Sequence, residues 1–232
     1  YDLQYIPSAF ASDVSGYVGM DVTVEGVITA SAQPGNMGYV YAQQENQLGW
    51  AGIMLVNNAS LASLTVGQKV QISGTVEENF NMTRLNVTNV TPTGTGNITA
   101  LPLDPSVFTT YGLTTNEIYE SMLIELKNST PGGKIYVVDQ NPDAPSNFAE
   151  WRVGSDQFDP SSGSRVIAGR QTGSSFSSLN VSAVNDSSWA TTDGIMNVAP
   201  CVMQLGDQFD AIRGIMQYAF GAFKCTPRNN FD

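Results

Sequence analysis

The sequence predicts an all-β protein that consists of two small β-barrels in tandem and contains only short helices. Apolar and polar residues alternate with a period of two over many short segments, and no long stretch repeats with the period of a helix. A Gly–strand–Gly pattern also occurs three times along the chain. A length of 232 residues with 41% hydrophobic residues suffices for two packed cores.

The first half of the chain contains five predicted strands, separated by turns rich in Gly, Pro and Asn. The alternation is clearest in the fourth, where Val70, Ile72 and Val76 alternate with polar residues. Short strands at this spacing are typical of a barrel or a sandwich. The five strands are residues 22–27, 38–44, 52–56, 70–77 and 85–91.

The second half contains six predicted strands, and three short helices are predicted along the whole chain. A Pro-containing stretch at residues 101–105 separates the two series of strands. We therefore expect one barrel over residues 1–105 and a second over residues 106–232. The six strands are residues 122–127, 135–139, 149–153, 165–168, 179–184 and 212–218, and the helices are residues 7–15, 61–64 and 114–119.

The Gly–strand–Gly pattern occurs at residues 18–27, 66–76 and 205–215. Each copy opens with a glycine turn, enters a strand, and meets a second glycine seven or eight residues later. A glycine within a strand marks a bulge or a tight bend, which a small barrel needs in order to close. We therefore expect a bulge or a bend at the three second glycines, which are Gly26, Gly74 and Gly214.

Three segments resemble a known family. Residues 66–85 and 214–227, together with residues 119–124, are similar to the tandem OB-type domains that precede the catalytic domain of secreted bacterial extracellular nucleases. The resemblance implies two tandem OB-like β-barrels and a secreted accessory or structural module. It does not imply nuclease activity, because the catalytic domain of that family uses Asp, Asn and His residues and this chain has no histidine.

The missing histidine also excludes several kinds of active site. Ser-His-Asp and Cys-His nucleophiles and His-ligated metals cannot be built, and no nucleotide-binding or nucleophile-elbow motif occurs. Glu77 and Glu78 are adjacent carboxylates, but neighbours on a strand point to opposite faces and cannot act as a glycosidase pair. We therefore expect a protein without enzymatic activity.

The charge balance argues against a nucleic-acid partner. The net charge is −11, from 10 basic and 21 acidic residues, and no Lys or Arg precedes Lys69. Binding to phosphates requires clustered Lys and Arg. The low charged fraction of 13% favours a secreted, extracellular or cell-surface protein, and no apolar run is long enough for a membrane span.

The two cysteines, Cys201 and Cys225, lie near the end of the chain. In a secreted protein such a pair favours a disulfide, and the alternative is two buried free thiols. Two cysteines without histidine cannot supply the four ligands of a zinc site.

Acidic loops are the only candidate metal ligands, and no other cofactor is expected. The tetrapeptide Asp-Gln-Phe-Asp occurs at residues 156–159 and again at 207–210, and Asp139 and Asp143 flank a further loop. Clustered carboxylates in loops can bind calcium, but the dense spacing of a strong calcium loop is absent. Solvated acidic turns are the alternative interpretation.

Tyr39, Tyr41 and Trp50 lie on or beside the second and third predicted strands, where OB-like barrels commonly bind ligands. Aromatic side chains there can stack on sugars or bases, although they can equally be core or interface residues.

Eight Asn-x-Ser/Thr sequons predict a glycosylated surface if the host modifies such sites. They are Asn58, Asn81, Asn86, Asn89, Asn97, Asn128, Asn180 and Asn185.

These observations lead to two hypotheses about function. The first is a structural subunit that assembles with copies of itself into an extracellular filament or surface layer. The low surface charge and the absence of site chemistry favour it, and residues 1–10 could add to a neighbour as a strand. The alternative is an accessory module that binds extracellular polysaccharide through Tyr39, Tyr41 and Trp50, or, less in keeping with the charge, nucleic acid.

Overall fold

The computed structural model confirms an all-β fold. It describes residues 2–6, 14–33, 36–108, 116–139, 142, 150–158, 164–167, 205–219, 222–228 and 232. Within these residues the strands are β1 Asp21–Ala30, β2 Val40–Gln43, β3 Gly52–Val56, β4 Gln68–Glu78, β5 Thr83–Thr95, β6 Leu101–Leu103, β7 Leu123–Leu126, β8 Ile135–Asp139, β9 Glu150–Gly154, β10 Ser164–Ile167, β11 Gln208–Phe209, β12 Ile212–Ala219 and β13 Ala222–Thr226. The helices are the short 3₁₀ segments Ala59–Ser63, Pro105–Phe108 and Glu117–Tyr119.

Strands β1 to β5 form a closed barrel in the order β1, β2, β3, β5, β4. β3 and β5 are parallel, with Leu55 opposite Leu85, and the other pairs are antiparallel. The chain passes from β3 to β4 through the 3₁₀ helix Ala59–Ser63. A five-stranded barrel with this strand order is an OB-like fold.

Alternation along β4 shows how the sequence builds the interior of this barrel. Val70, Ile72 and Val76 are fully buried, whereas Gln71 between them is exposed. Since successive side chains on a strand point to opposite faces, the apolar set lines the inside of the barrel. Their neighbours in the core are Leu3, Ile28, Val40, Ala42, Ile53, Leu55, Leu61, Leu64, Leu85 and Val87.

The remaining strands form one sheet in the order β11, β8, β9, β10, β13, β12, β7, β6. β11 and β12 are separated by only two residues and pair with β8 and β7 respectively. If β7 and β8 are counted as one interrupted strand, and β11 and β12 as another, the cyclic order repeats that of the first barrel. The parallel pair recurs too, between β10 and β13. The second half is therefore also OB-like, with β6 added beside β7.

The structure confirms one of the three predicted strand glycines as a bulge. The β4–β5 register shifts between Ser73 and Gly74. Gly26 and Gly214 pair with their neighbouring strands without a shift of register, so neither forms a bulge. At both positions a neighbouring strand comes too close to leave ordinary space for a side chain. A Cβ at Gly214 would lie 2.5 Å from the carbonyl oxygen of Thr226, so a larger residue does not fit there.

Every predicted strand that lies within the described residues coincides with an observed one, and the predicted helices at 61–64 and 114–119 overlap 3₁₀ turns. Strand 179–184 and most of helix 7–15 lie outside the described residues. Residues 101–105, predicted as a connection, contain strand β6 at the edge of the second sheet. Pro102 is compatible with this position, because an edge strand leaves one side without hydrogen-bond partners. The division at residue 105 stays a prediction.

Gly74→Ala tests the bulge. The added Cβ would lie 2.4 Å from the carbonyl oxygen of Asn86, so the backbones must separate. We expect a loss of about 1–3 kcal/mol in the free energy of unfolding, measured by denaturant titration. Gly16→Ala is the control, because nothing lies within 4 Å of its Cβ position, and it should change stability by less than about 0.5 kcal/mol. Equal effects of the two variants would contradict the packing.

Candidate functional site

The two barrels share an apolar cluster, called here the junction. Tyr41 and Met54 of the first barrel pack in one buried group with Leu123 and Ile215 of the second. Tyr41 is fully buried at its centre. The complete buried set is Ala30, Met37, Tyr41, Met54, Leu123 and Ile215.

Hydrogen bonds also cross the junction, and several of them involve the backbone. The Trp50 amide donates to the carbonyl of Ile118 at 2.7 Å. The backbones come so close that a Cβ on Gly52 would lie 2.2 Å from the carbonyl group of Ser121. Three further bonds run from Leu123 N to Gln43 Oε1 (2.8 Å), from Arg228 Nη1 to Thr29 O (2.9 Å), and from the Gln217 amide to the Tyr41 hydroxyl.

A buried carboxyl group, that of Glu120, lies at one side of the junction. Its Oε1 accepts hydrogen bonds from the Thr83 backbone amide at 3.0 Å and from Gln4 Nε2 at 3.3 Å. Its Oε2 is buried and has no hydrogen-bond partner, and the same is true of Gln4 Oε1 and Ser121 Oγ. The site therefore holds a carboxyl group with only one of its two oxygens satisfied.

The surroundings of Glu120 oppose its ionisation. Burial raises the pKa of this carboxyl well above its usual range, and the charge of Glu117 and, more weakly, that of Glu78 raise it further. The hydrogen bonds from Thr83 and Gln4 act in the opposite direction and are outweighed. Since the group is almost entirely buried, it contacts protein and has no access to a substrate in this conformation.

A groove of about 460 Å³ opens on the first barrel where the N-terminal segment, residues 2–4, lies against β1, β2 and β3. Tyr17, Val22 and Val24 line one part of it and Ile53 another. Its polar wall consists of Asp2, Gln4, Thr23, Glu25, Gln43 and Gln44. The groove has the size of a small-ligand site and mixes apolar with hydrogen-bonding groups.

The structure separates the three aromatic residues predicted to bind a ligand. Tyr41 is buried in the junction, so its placement on a binding face is corrected. Tyr39 is 41% exposed, and Trp50 is partly buried with its ring edge-on to Tyr5 at 6.0 Å. Ligand binding by Tyr39 and Trp50 stays a prediction.

The predicted disulfide is not supported. Cys225 is a free thiol on β13, fully buried, and burial raises the pKa of the thiol far above its usual range. Cys201 lies outside the described residues. Cys225 is thus a small apolar core residue in this structure, which was the alternative interpretation for this cysteine.

The sequons differ in how accessible their amide nitrogens are, and glycosylation stays a prediction. Three side-chain amide groups donate hydrogen bonds to other parts of the protein, and three belong to exposed residues. The first set is Asn58, Asn86 and Asn128, and the second is Asn81, Asn89 and Asn97. Asn180 and Asn185 lie outside the described residues.

The acidic loops predicted as calcium ligands make contacts within the protein. Asp156 accepts from the Phe158 amide at 2.9 Å, and Asp210 is paired with Lys134. Asp143 and Asp159 lie outside the described residues. Among the residues that the structure describes, no group of three or more acidic or cysteine side chains is arranged to hold a metal ion.

Six Lys and Arg side chains of the described part form ion pairs with carboxylates. They are Lys69 with Glu45, Arg84 with Glu77, Lys127 and Arg213 with Glu125, Lys134 with Asp210, and Arg228 with Asp232. Each of these cations therefore already has a carboxylate partner within the protein. In the described ranges no helix is long and apolar enough to cross a membrane.

The strand order and the junction define the class: this is an all-β protein with OB-like barrels joined by a shared apolar cluster. No family model and no curated protein sequence matches the chain. One solved structure that resembles it in part is that of the hypothetical protein ygiW from E. coli. That match has 16% sequence identity and a TM-score of 0.26, and it covers 33% of this chain and 77% of the other.

Sequence reasoning missed the Glu120 site. Glu78 and Glu120 lie in different halves of the chain and only the folded junction brings them together. A local signal existed, because Glu117 and Glu120 stand three residues apart directly before the apolar segment that forms β7. Acidic residues so close to a buried strand indicate a carboxyl group at the edge of the core.

Tyr41→Ala tests the junction. Removing a fully buried aromatic side chain leaves a cavity between the barrels, and we expect a loss of about 3–5 kcal/mol in the free energy of unfolding by denaturant titration. Tyr39→Ala is the matched control and should change stability much less, by about 0.5 kcal/mol, because 41% of the Tyr39 surface is exposed, whereas Tyr41 is fully buried. A small loss for Tyr41→Ala would show that the shared cluster does not form.

Proposed function

We propose that this protein is a secreted, non-catalytic structural subunit that assembles with copies of itself into an extracellular filament or surface layer. One observation carries the proposal: large apolar side chains stand exposed on turns of both barrels, while the barrels themselves are joined into one body. Exposed apolar patches often mark sites of contact with other proteins.

The first of these turns is the tip of the β4–β5 hairpin. Phe80 is 88% exposed there, and Asn79 and Met82 close the two-residue loop with two backbone hydrogen bonds of 3.0 and 3.2 Å. Phe80 and Asn81 have φ values of 53° and 61°. Asn and Gly are the usual residues at such positions, and a bulky side chain is strained there. A strained, exposed aromatic residue suggests a contact in the assembled state.

The second is on the other barrel. Phe158 is 87% exposed in the turn that follows β9, and Leu205 is 64% exposed before β11. The two turns are adjacent, because the Cβ position of Gly206 lies 3.1 Å from the side-chain amide of Gln157. Together they form a small apolar prominence.

The Phe80 hairpin tip and the prominence formed by Phe158 and Leu205 differ in composition and lie on different barrels. A contact between unlike surfaces of successive copies does not close by two-fold symmetry and produces an open chain unless the rotation happens to form a ring. The junction supports this role because force on one barrel passes to the other through packed side chains. The lack of histidine and the paired cations favour a role without catalysis or nucleic-acid binding.

The second candidate function is binding of extracellular polysaccharide. The groove on the first barrel favours it, because carboxylate and amide groups of Asp2, Glu25 and Gln44 line it beside Tyr17. Tyr39 and Trp50 could add stacking surfaces elsewhere on the barrel.

Electron microscopy and sedimentation velocity of the purified protein over a range of concentrations test the structural role. We expect polymers that grow with concentration, and the double variant Phe80→Ser, Phe158→Ser should stay monomeric while remaining folded. Tyr39→Ser is the control for loss of an exposed aromatic residue and should still polymerise.

Monomers of the unaltered protein at all concentrations would contradict the proposal. If these monomers bound to a glycan array, the polysaccharide-binding alternative would take its place.

A further inference from the structure

We propose that Glu120 is a proton-dependent latch, which in its neutral form holds the N-terminal segment (residues 2–6) and the two barrels together and which loosens them on ionisation. This regulatory device goes beyond the structural role above and does not depend on it.

The latch follows from what Glu120 connects. Glu120 precedes β7 of the second barrel, and its Oε1 accepts from the amide of Thr83 at the start of β5 in the first barrel. The same oxygen accepts from Gln4 Nε2, which also donates to the carbonyl of Gly52 at 2.8 Å. One carboxyl group therefore joins the N-terminal segment, β5 and the segment that enters the second barrel.

The segment that Gln4 anchors is part of the first barrel's core. Leu3 is buried among the apolar side chains of that core, and its carbonyl accepts from the Ser15 hydroxyl. Residues 2–4 also form one wall of the groove. Release of Gln4 would therefore widen the groove and expose apolar surface of the first barrel.

The hydrogen bonding favours the neutral form of Glu120. An ionised carboxylate that is removed from water needs donors at both oxygens, but Oε2 has none. Gln4 is oriented by its two bonds through Nε2, so its remaining atom near the site is an unpartnered acceptor, Oε1. Ser121 Oγ is buried and unpartnered as well.

Among the residues that the structure describes, the two charged groups that raise the pKa of Glu120 are both acids. Glu117 faces it from the 3₁₀ helix Glu117–Tyr119, and Glu78 faces it from the end of β4. The N-terminal segment contributes the Gln4 amide and β5 the Thr83 amide, neither of which titrates. Ionisation of Glu120 would thus place a buried negative charge beside two carboxyl groups.

These contacts set the direction of the pH dependence. Burial, Glu117 and Glu78 raise the pKa of Glu120 above the value of about 4.3 that a Glu has in an unfolded chain. A raised folded-state pKa contributes stability that is complete below the unfolded value and is lost as the pH rises through the folded value. The latch is therefore closed in mild acid and weakens towards alkaline pH.

The contribution of Asp104 to stability depends on pH in the opposite direction, because it is lost as the pH falls. Burial opposes its ionisation, but hydrogen bonds from the Ser155 hydroxyl and from the Ser106 and Ser129 amides outweigh burial and hold its pKa well below the usual range. Its contribution is present above the unfolded value of about 3.9 and is lost in strong acid. Mild acid is where both contributions are present.

Thermal unfolding of the full chain between about pH 5 and about pH 9 tests the latch. We expect the midpoint of the unaltered protein to fall as the pH rises. Glu120→Gln, which imitates the neutral carboxyl and can still accept from Thr83 and Gln4, should remove most of this fall. Glu25→Gln is the control, because it removes an exposed charge of the same sign and should keep the slope.

Hydrogen exchange locates the effect. At a given alkaline pH, amides of residues 2–6 and 117–123 should exchange faster in the unaltered protein than in Glu120→Gln, by up to about tenfold for each pH unit between the unfolded and the folded pKa of Glu120, with no further increase above the folded value. Comparison at one pH removes the pH dependence of the intrinsic exchange rate. Residues of β12 and β13 provide the internal reference.

Glu117→Gln is a second variant in case Glu120→Gln does not fold. With one acidic neighbour fewer, the folded-state pKa of Glu120 moves back towards its unfolded value, so the fall in the midpoint should be smaller and should end at a lower pH. The proposal would be overturned if the unfolding midpoints of the unaltered protein and Glu120→Gln fell in parallel as the pH rises. It would also be overturned if the midpoint of Glu117→Gln depended on pH in the same way as that of the unaltered protein.

Discussion

The packing of the two barrels against each other is the constraint on which the rest of the structure depends. Tyr41 fills the centre of the junction, and the close approach of Gly52 to Ser121 leaves no room for a side chain between the backbones. Burial of this kind stabilises a specific arrangement, because cores are packed as densely as crystals and tolerate neither voids nor added atoms. The same contact removes Tyr41 from the surface and places Glu120 in a medium of low polarity.

Most of the fold could be predicted, since it depends on local pattern. The period-two alternation of Val70, Ile72 and Val76 locates β4, and the glycine between them locates its bulge. The candidate sites were harder, because alternation shows that a side chain lies on one face of a strand but does not show what covers that face. Tyr41 carries the sequence features of a ligand-stacking residue, yet the second barrel covers it. The hydrogen-bond partners of Glu120 lie 37 and 116 positions away in the sequence, so its burial in the junction cannot be derived from local pattern.

Both halves of the chain use the same strand order, but they differ in what they present. The first barrel carries the groove and the Phe80 turn, and the second carries the prominence formed by Phe158 and Leu205. A shared fold does not define a shared function, since function depends on the groups placed on the fold. Here those groups are exposed apolar residues and paired charges, with a buried acid between the barrels. The exposed apolar residues among them are the basis of the proposed contacts between copies of the protein.

Packing at the junction predicts that the two barrels unfold as one cooperative unit. Scanning calorimetry of the full chain tests it most directly, because independent domains unfold in separate transitions. The shared cluster predicts a single transition in which the calorimetric and van't Hoff enthalpies agree. Two resolved transitions, each with the enthalpy of about half the chain, would contradict it.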